Sequence, residues 1–116
     1  MPVTDQERAL AFYTGTLGLE KRADVPYGNG DRWIEVAPPG ADTTIALCVP
    51  PAGAGPAPKN VCYCSIVTTD IDAEHADLTA RGVDCDDVMR MGDPVPPMFF
   101  FRDQDGNSLL IVQPVA

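Results

Sequence analysis

The sequence has few basic residues, and this scarcity limits the partners it can have. Eight lysines and arginines stand against 17 aspartates and glutamates in 116 residues, which gives a net charge of −9. A nucleic-acid-binding surface needs clustered basic side chains to displace the counterions of phosphate groups, so we expect no binding to DNA or RNA. An acidic surface instead favours cationic small molecules, although net charge bears mainly on solubility.

Long apolar runs and a basic leader are also missing. The uninterrupted apolar stretches are only a few residues long, whereas a membrane-spanning helix needs roughly 20 such residues. The amino terminus has no basic segment followed by an apolar one, as a secretory signal would. We therefore expect a cytoplasmic protein with no membrane partner. A chain of this length can bury a core without metals or disulfides.

Histidine is scarce, and the cysteines lack the spacing of common metal motifs. His75 is the only histidine, and the pair Cys62-x-Cys64 is one residue too close for a zinc ribbon. We expect the four cysteines to be free thiols in a reducing compartment; they are Cys48, Cys62, Cys64 and Cys85. Strand alternation places Cys62 and Cys64 on one face, where we expect small buried side chains beneath a helix.

The chain does contain an internal repeat. The segment Asp5–Gly18 matches the segment Asp70–Gly82 in register, and each reads as an amphipathic helix. Each begins with a capping pattern, Thr4-x-x-Glu7 in the first copy and the weaker Thr69-x-x-Asp72 in the second. Each ends at a glycine, the residue type that favours a left-handed helix cap. The repeat therefore predicts two structurally similar halves.

Short strands are predicted around each helix. A strand precedes each helix, and three follow it in each half, at Leu19–Asp24, Arg32–Ala37, Thr43–Val49, Asp84–Arg90, Pro97–Arg102 and Ser108–Gln113. Module one covers about 1–49, a Pro/Gly-rich linker 50–60, and module two 61–116. We predict one α+β domain, 1–116, in which two βαβββ modules form a half-open barrel of mixed sheets around a ligand-sized hollow.

These segments resemble the vicinal oxygen chelate superfamily, which includes glyoxalase I, extradiol dioxygenases, and bleomycin and fosfomycin resistance proteins. The likeness rests on Val3–Gly18, Asp70–Val83 and Phe101–Asn107. It implies the paired βαβββ fold and a homodimer. In the superfamily's enzymes, four side chains (His or Gln, Glu, His, Glu) hold a divalent metal on the concave face, where it acts as a Lewis acid on substrate oxygens.

The resemblance places the family's metal ligands at positions that do not suit a metal here. The first falls before Met1, which leaves a shortened first strand, and the others fall on Ala46, Tyr63 and Leu110. Alanine and leucine have no donor atom, and an isolated tyrosine is a poor ligand for these ions. We therefore predict no metal, no other cofactor and no catalytic residue of the family type.

The same positions define a candidate ligand-binding surface. If they face the hollow, strand alternation brings small and apolar neighbours to the same side. The predicted ligand-binding residues are Trp33, Glu35, Ala46, Cys48, Tyr63, Ser65, Phe99, Phe101 and Leu110. Trp33 is either a stacking platform or a core residue, and Glu35 is either an anion for a cationic ligand or a solvated edge. The sequence does not decide which face of Met98–Arg102 meets the hollow.

Two other polar groups have ordinary structural interpretations. His75 lies on the apolar line of the second helix, so we expect a partly buried, hydrogen-bonded ring away from the hollow. Asp84, Asp86 and Asp87 lack the spacing of a calcium-binding loop and predict a solvated acidic edge.

These features predict a glyoxalase/bleomycin-resistance-like protein that binds a small organic ligand, an antibiotic or a metabolite, and sequesters it unchanged. One alternative is a metal-dependent lyase, isomerase or dioxygenase of the glyoxalase type. A second is a metal-free enzyme that uses Tyr63 or Glu35 as acid or base. A third is an accessory protein whose hollow is filled by Trp33 and the phenylalanines of Phe99–Phe101.

Overall fold

The computed structural model describes residues 1–27, 30–51, 53 and 61–114. It contains two compact units, Met1–Pro58 and Lys59–Ala116. Each has one helical segment and one sheet, so the protein is of the predicted α+β class. That the two units act as one domain stays a prediction, and the predicted linker 50–60 lies mostly outside the described residues. No helix among the described residues has the length and apolar character needed to cross a membrane.

The first unit combines a helical segment with a three-stranded sheet. Its elements are α1 (Gln6–Leu10), a π-helical segment (Ala11–Thr16), β1 (Glu20–Tyr27), β2 (Asp31–Ala37) and β3 (Ile45–Ala46). The strands are antiparallel in the order β1-β2-β3. Pro2 forms an additional parallel bridge with Cys48, and Val3 N donates to Cys48 O at 2.8 Å. This short pairing is the shortened first strand expected from the sequence.

The second unit has the same order of elements in fuller form. Its elements are β4 (Cys62–Val67), α2 (Ile71–Ala80), β5 (Asp84–Cys85), β6 (Met98–Arg102) and β7 (Ser108–Val112). The sheet order is β4-β7-β6-β5, with β4 parallel to β7 and the other pairs antiparallel. The Pro2–Cys48 bridge before the first helix is therefore parallel, as is the pairing of β4 with β7 in the second unit, which is expected for a repeated βαβββ arrangement.

Aspartates cap both helices, one residue later than the predicted threonines. The Asp5 carboxylate accepts from Glu7 N at 2.9 Å and from Arg8 N at 3.1 Å. Asp70 accepts from Ala73 N at 3.1 Å. A carboxylate at the N-cap satisfies free N–H groups of the first turn and also suits the positive end of the helix dipole. The predicted helices are confirmed, but their predicted caps are wrong by one residue.

The first helix changes to π geometry after little more than one turn, which the sequence did not predict. Within Ala11–Thr16 the backbone bonds span five residues, as from Leu17 N to Phe12 O at 2.9 Å. The Thr14 hydroxyl donates to Leu10 O at 2.6 Å. Such a threonine bond competes with the backbone ladder and loosens it locally, so the apolar periodicity alone could not fix the helix type.

Both helical segments end at a glycine in the left-handed region, as predicted. Gly18 has φ 78° and Gly82 has φ 82°. After α2, Gly82 N donates to Thr79 O at 3.1 Å and Val83 N to Leu78 O at 3.0 Å. These two bonds satisfy carbonyls that the end of the helix leaves unpaired, and side chains other than glycine are disfavoured at such a φ.

Alternation along β6 and β7 separates two faces of the second sheet. Four side chains are fully or almost fully buried: Phe99, Phe101, Leu109 and Ile111. The His75 ring of α2 lies edge-on to Phe99 with centroids 4.9 Å apart, so this face is covered by the helix. Phe100, Arg102, Ser108 and Leu110 alternate with the buried set and are half-buried. We call their side the far face of the second sheet.

The first sheet is divided in the same way. Ile34 and Val36 are 1% and 0% exposed, and Arg32 on their face pairs with Glu7 of α1. The alternating residues on the other side are Trp33 and Glu35. We call this the far face of the first sheet.

Candidate functional site

The far face of the first sheet brings three of the predicted site residues together. Ala46 on β3 is the register partner of Glu35 on β2. The Trp33 Nε1 donates to Glu35 Oε2 at 2.6 Å, and Trp33 remains 39% exposed. Thr44 Oγ1 donates to Glu35 Oε1, also at 2.6 Å. Cys48, the fourth predicted residue of this unit, is exposed two positions beyond Ala46. The cluster thus presents one aromatic ring and one oriented carboxylate.

The hydrogen bonds at Glu35 hold it in its charged form. The bond from Thr44, followed by that from Trp33, lowers the pKa of Glu35 below its ordinary range. A carboxylate with a low pKa accepts hydrogen bonds and attracts cations, but it is a weak general base near neutral pH. Beside an exposed indole, this anion suits a cationic or hydrogen-bond-donating ligand group.

The far face of the second sheet carries a pocket. Its volume is about 340 Å³, and its lining residues are Cys62, Asp86, Phe100, Arg102 and Ser108. Arg102 lies opposite Ser108 in the β6–β7 register, and Phe100 lies opposite Leu110. None of the five lining residues was named as a predicted ligand-binding residue, although Phe100 and Arg102 belong to the face of Met98–Arg102 that the sequence left open. Their cross-strand register, which depends on segments distant in sequence, was the missing information.

Arg102 is held by two carboxylates at the edge of this pocket. Its Nε and Nη2 donate to Asp84 at 3.0 and 2.9 Å. Its Nη1 and Nη2 donate to Asp86 at 3.0 and 2.8 Å. These bonds lower the pKa of both aspartates and raise that of Arg102. The predicted acidic edge is therefore exposed but not merely solvated, because two of its aspartates form this ion-paired group.

Phe99 and Phe101 lie in the core, contrary to their inclusion among the cavity residues. Both are 0% exposed. The edge-on contact with His75 shows that α2 covers their face, so strand alternation turns Phe100 and Arg102 to the far face instead. His75 is half-buried and its Nε2 lies 2.9 Å from Asp86 O, in agreement with its predicted structural role.

A register irregularity in β4 changes the expected orientation of its cysteines. Cys62 pairs with Ser108 and Ser65 with Leu110, so two residues of β4 intervene where β7 has one. Ser65 and Leu110, both predicted site residues, are thus neighbours on the far face. Cys62 is exposed and lines the pocket. The prediction that Cys62 lies buried beneath the helix is wrong, because simple alternation fails across a bulge.

The remaining residues of β4 fall inside the irregular stretch. Tyr63 is half-buried between the two register pairs. Cys64 is half-buried, and burial raises the pKa of its thiol. Burial likewise raises the pKa of the Cys85 thiol. A buried, protonated thiol is a poor nucleophile and a poor metal ligand.

The side chains at the positions where the resemblance places metal ligands do not fit the family's metal. Ala46 and Leu110 carry no donor atom, and Glu35, the register partner of Ala46, already accepts from Trp33 and Thr44. Across residues 1–27, 30–51, 53 and 61–114, no group of three or more His, Cys, Asp or Glu side chains is arranged to hold a metal ion. A divalent metal of the family type needs several such donors together.

Comparison with known proteins identifies the family. The model of the glyoxalase/bleomycin resistance protein/dioxygenase superfamily matches residues 1–111. The uncharacterized protein YetH of Bacillus subtilis (strain 168) is 30% identical over 113 residues, which cover 94% of this chain and 89% of YetH.

Two solved structures are similar over nearly the whole chain. TnmS3, an antibiotic binding protein from Streptomyces sp. CB03234, is 37% identical with a TM-score of 0.85, and the match covers 99% of this chain and 91% of TnmS3. A superfamily member from Sphaerobacter thermophilus DSM 20745 is 38% identical with a TM-score of 0.88, covering 97% and 91% of the two chains. This chain therefore belongs to the glyoxalase/bleomycin resistance protein/dioxygenase superfamily.

Proposed function

We propose that this protein binds a small organic molecule, an antibiotic or a metabolite, without a metal ion and sequesters it unchanged. The observation that carries the proposal is that Ala46 and Leu110, which have no donor atom, stand where the resemblance places metal ligands. The similarity to TnmS3, an antibiotic binding protein, supports a binding role. A chain that keeps the fold but not the metal donors retains a ligand surface without the Lewis acid that the family's reactions use.

Each far face, taken by itself, supplies contacts suited to such a ligand. In the first unit, the exposed indole of Trp33 stands beside the Glu35 carboxylate. In the second unit, Phe100 and Cys62 line a pocket together with polar side chains. Ligand sites generally combine apolar and aromatic area with a few oriented polar groups. These surfaces favour an aromatic or amphiphilic ligand that carries hydrogen-bond donors or positive charge.

Metal-free acid–base catalysis by Glu35 is the less favoured alternative. A general base works best when its pKa lies near the working pH. The donors Thr44 and Trp33 move the pKa of Glu35 in the opposite direction. Glu35 is therefore better suited to anchoring a ligand than to removing a proton from it.

Fluorescence of the chain's single tryptophan, Trp33, tests the proposal directly. We expect bleomycin, or another compound of a panel of cationic and aromatic antibiotics, to quench or shift this fluorescence with saturation. Mass spectrometry of the released compound should show its original mass. The variant Glu35→Gln should lower the affinity for a cationic ligand. Glu20→Gln, the same change on β1 of the same sheet, should leave its affinity unchanged.

Two results would contradict a binding function. One is the absence of a saturable response across the whole panel, with calorimetry confirming that no heat is released. The other is turnover of the bound compound, which would point to an enzyme. Turnover that EDTA abolishes would favour the metal-dependent lyase, isomerase or dioxygenase. Turnover that survives EDTA and falls with Glu35→Gln or Tyr63→Phe would favour the metal-free enzyme.

We also propose that the protein forms a homodimer and acts in the cytoplasm. The homodimer rests on family resemblance, and light scattering coupled to size-exclusion chromatography should give twice the mass of one chain. The cytoplasmic location is supported by the four cysteines, all of which are free. Fractionation of cells that produce the protein should recover it with cytoplasmic markers.

A further inference from the structure

The pocket of the second sheet has a chemistry of its own. All five lining residues belong to one unit, and the volume of about 340 Å³ is enough for a single substituted ring. Phe100 provides an aromatic wall, and Ser108 and Cys62 provide a hydroxyl and an exposed thiol. The charged residues Asp86 and Arg102 determine which ligands this pocket accepts.

The presence of an arginine would ordinarily suggest a site for a carboxylate or phosphate. Here the guanidinium already donates four hydrogen bonds, at 2.8 to 3.0 Å, to Asp84 and Asp86. A ligand anion would have to displace one of these carboxylates. The group formed by Arg102 and the two aspartates carries one positive and two negative charges, so its net charge is negative.

The same group has more acceptors than donors. Each carboxylate oxygen can accept more than one hydrogen bond, whereas most guanidinium N–H groups of Arg102 are already occupied. The aromatic face of Phe100 also attracts positive charge. Both features therefore favour a ligand group that is flat, donates hydrogen bonds and carries a positive charge.

We propose that this pocket binds the cationic nitrogen group of an aromatic ligand and rejects an anion of the same size and shape. The inference rests on the proposed function, because it assigns a ligand class to the pocket of the second unit, one of the two surfaces proposed to bind ligands. It also gives Arg102 a positioning role: the arginine orients Asp86 toward the pocket instead of contacting a ligand anion itself.

Alkylation of Cys62 provides a local test, because its thiol lines the pocket. Iodoacetamide, a neutral reagent, is added to the whole protein, and mass spectrometry follows each cysteine separately. Benzamidine, benzamide and benzoate serve as a cationic, a neutral and an anionic probe of nearly equal size. Cys48 is exposed in the first unit and serves as the internal control.

We expect benzamidine to slow the alkylation of Cys62 with saturation, by about tenfold at a concentration ten times its Kd. Benzoate should leave the rate unchanged, and benzamide should protect more weakly than benzamidine. None of the three should change the rate at Cys48. Added salt should weaken the protection by benzamidine, because an exposed charge contact is screened.

Variants of the aspartates test whether the pocket selects its ligands by their charge or only by their size. Asp86→Asn should lower the affinity for benzamidine about tenfold, because it removes one negative charge that lines the pocket. Asp87→Asn is the matched control, since Asp87 is exposed on the next residue and does not line the pocket. Replacing Asp84 and Asp86 together by asparagine leaves Arg102 without its carboxylate partners, so benzoate should now protect Cys62 and benzamidine should not. Circular dichroism should confirm that each variant is folded.

Two outcomes overturn the inference. One is protection of Cys62 by benzoate equal to or greater than that by benzamidine in the unaltered protein. The other is no protection by any probe up to its solubility limit. If Trp33 fluorescence still reports saturable binding of an antibiotic in that case, the inference fails while the proposed function stands. If neither Trp33 nor Cys62 responds to any compound, both fail.

Discussion

Trp33 and Glu35, two residues apart on β2, are joined by a hydrogen bond of 2.6 Å from the indole Nε1 to the carboxylate Oε2. Thr44 donates a second bond of the same length to the other carboxylate oxygen. Both oxygens of one anion are therefore fixed beside an exposed aromatic ring. Because Trp33 is the only tryptophan, its fluorescence should report what happens at Glu35.

The first prediction concerns the origin of the low pKa of Glu35. Of the two hydrogen bonds to Glu35, the one from Thr44 lowers its pKa more, so Thr44→Val should raise the pKa of Glu35 toward its ordinary value. Trp33→Phe should raise it by a smaller amount. The measurement is an NMR titration of the Glu35 carboxyl carbon. A larger shift in Trp33→Phe than in Thr44→Val, or no shift in either, would contradict this account.

The second prediction is a loss of stability in acid. The pKa values of Asp24, Glu35, Asp84 and Asp86 are lowered by hydrogen-bond donors in the folded protein. The unfolded chain therefore binds protons more readily, so this stabilisation is present above the ordinary values of 3.8 for Asp and 4.5 for Glu and is lost as the pH falls below them. Thermal melts should show a nearly constant Tm from about pH 7 to 5 and a fall below about pH 4.5.

Removing carboxylates provides the control for this pH dependence. The double replacement of Asp84 and Asp86 by asparagine should make the fall in Tm at low pH shallower. High salt should have a similar but weaker effect, because these side chains are largely exposed. A Tm that rises on acidification would show that the sign of the pKa shifts is wrong.

The third prediction contrasts two neighbouring phenylalanines on opposite faces of β6. Phe99→Ala leaves a cavity beneath α2, and we expect it to lower the free energy of unfolding by about 3–5 kcal/mol. Phe100→Ala removes a half-buried ring from the pocket and should cost less stability, while weakening the protection of Cys62 by benzamidine. Denaturant unfolding and the alkylation assay measure the two effects. Equal losses of stability with unchanged protection would contradict the assignment of the two faces.

The fourth prediction concerns the turn between β6 and β7. Asp103 is 7% exposed, and its carboxylate accepts from Asp105 N, Asn107 N and Asn107 Nδ2, each at 2.9 Å. Asp103→Ala leaves these donors without an acceptor and should cost about 2–3 kcal/mol of stability. The control Asp42→Ala, at an exposed loop position, should change stability by less than about 0.5 kcal/mol. A loss for Asp103→Ala no larger than for the control would show that the turn does not depend on this carboxylate.

Much of the fold could be predicted, because helix ends and turns are specified by residues close together in the sequence. Gly18 and Gly82 occupy equivalent positions after the two helices, and both adopt the left-handed conformation expected of a helix-terminating glycine. The segment Asp103–Asn107, which joins the predicted strands Pro97–Arg102 and Ser108–Gln113, is likewise rich in turn-forming residues. The helix caps were placed one residue early, because both Thr and Asp are good N-cap residues and they are adjacent in each copy.

The pocket could not be predicted, because it depends on contacts between distant segments. The pairing of Arg102 with Asp84 and Asp86 follows from the β5–β6 register, which alternation within a single strand does not specify. The irregularity in β4 brought Cys62 to the far face against the expected alternation. Alternation alone also did not decide which face of Met98–Arg102 packs in the core. The contact of His75 on α2 with Phe99 shows that the face of Phe99 does.

The most direct test of metal-free binding combines metal analysis with a ligand titration. Nickel, zinc, manganese and iron are measured in the purified protein, and the Trp33 titration is repeated with and without EDTA. We predict far less than one equivalent of any metal and the same Kd in both titrations, because Ala46 and Leu110 supply no donor atoms. One tightly held equivalent of metal per chain, with ligand binding lost in EDTA, would contradict the account.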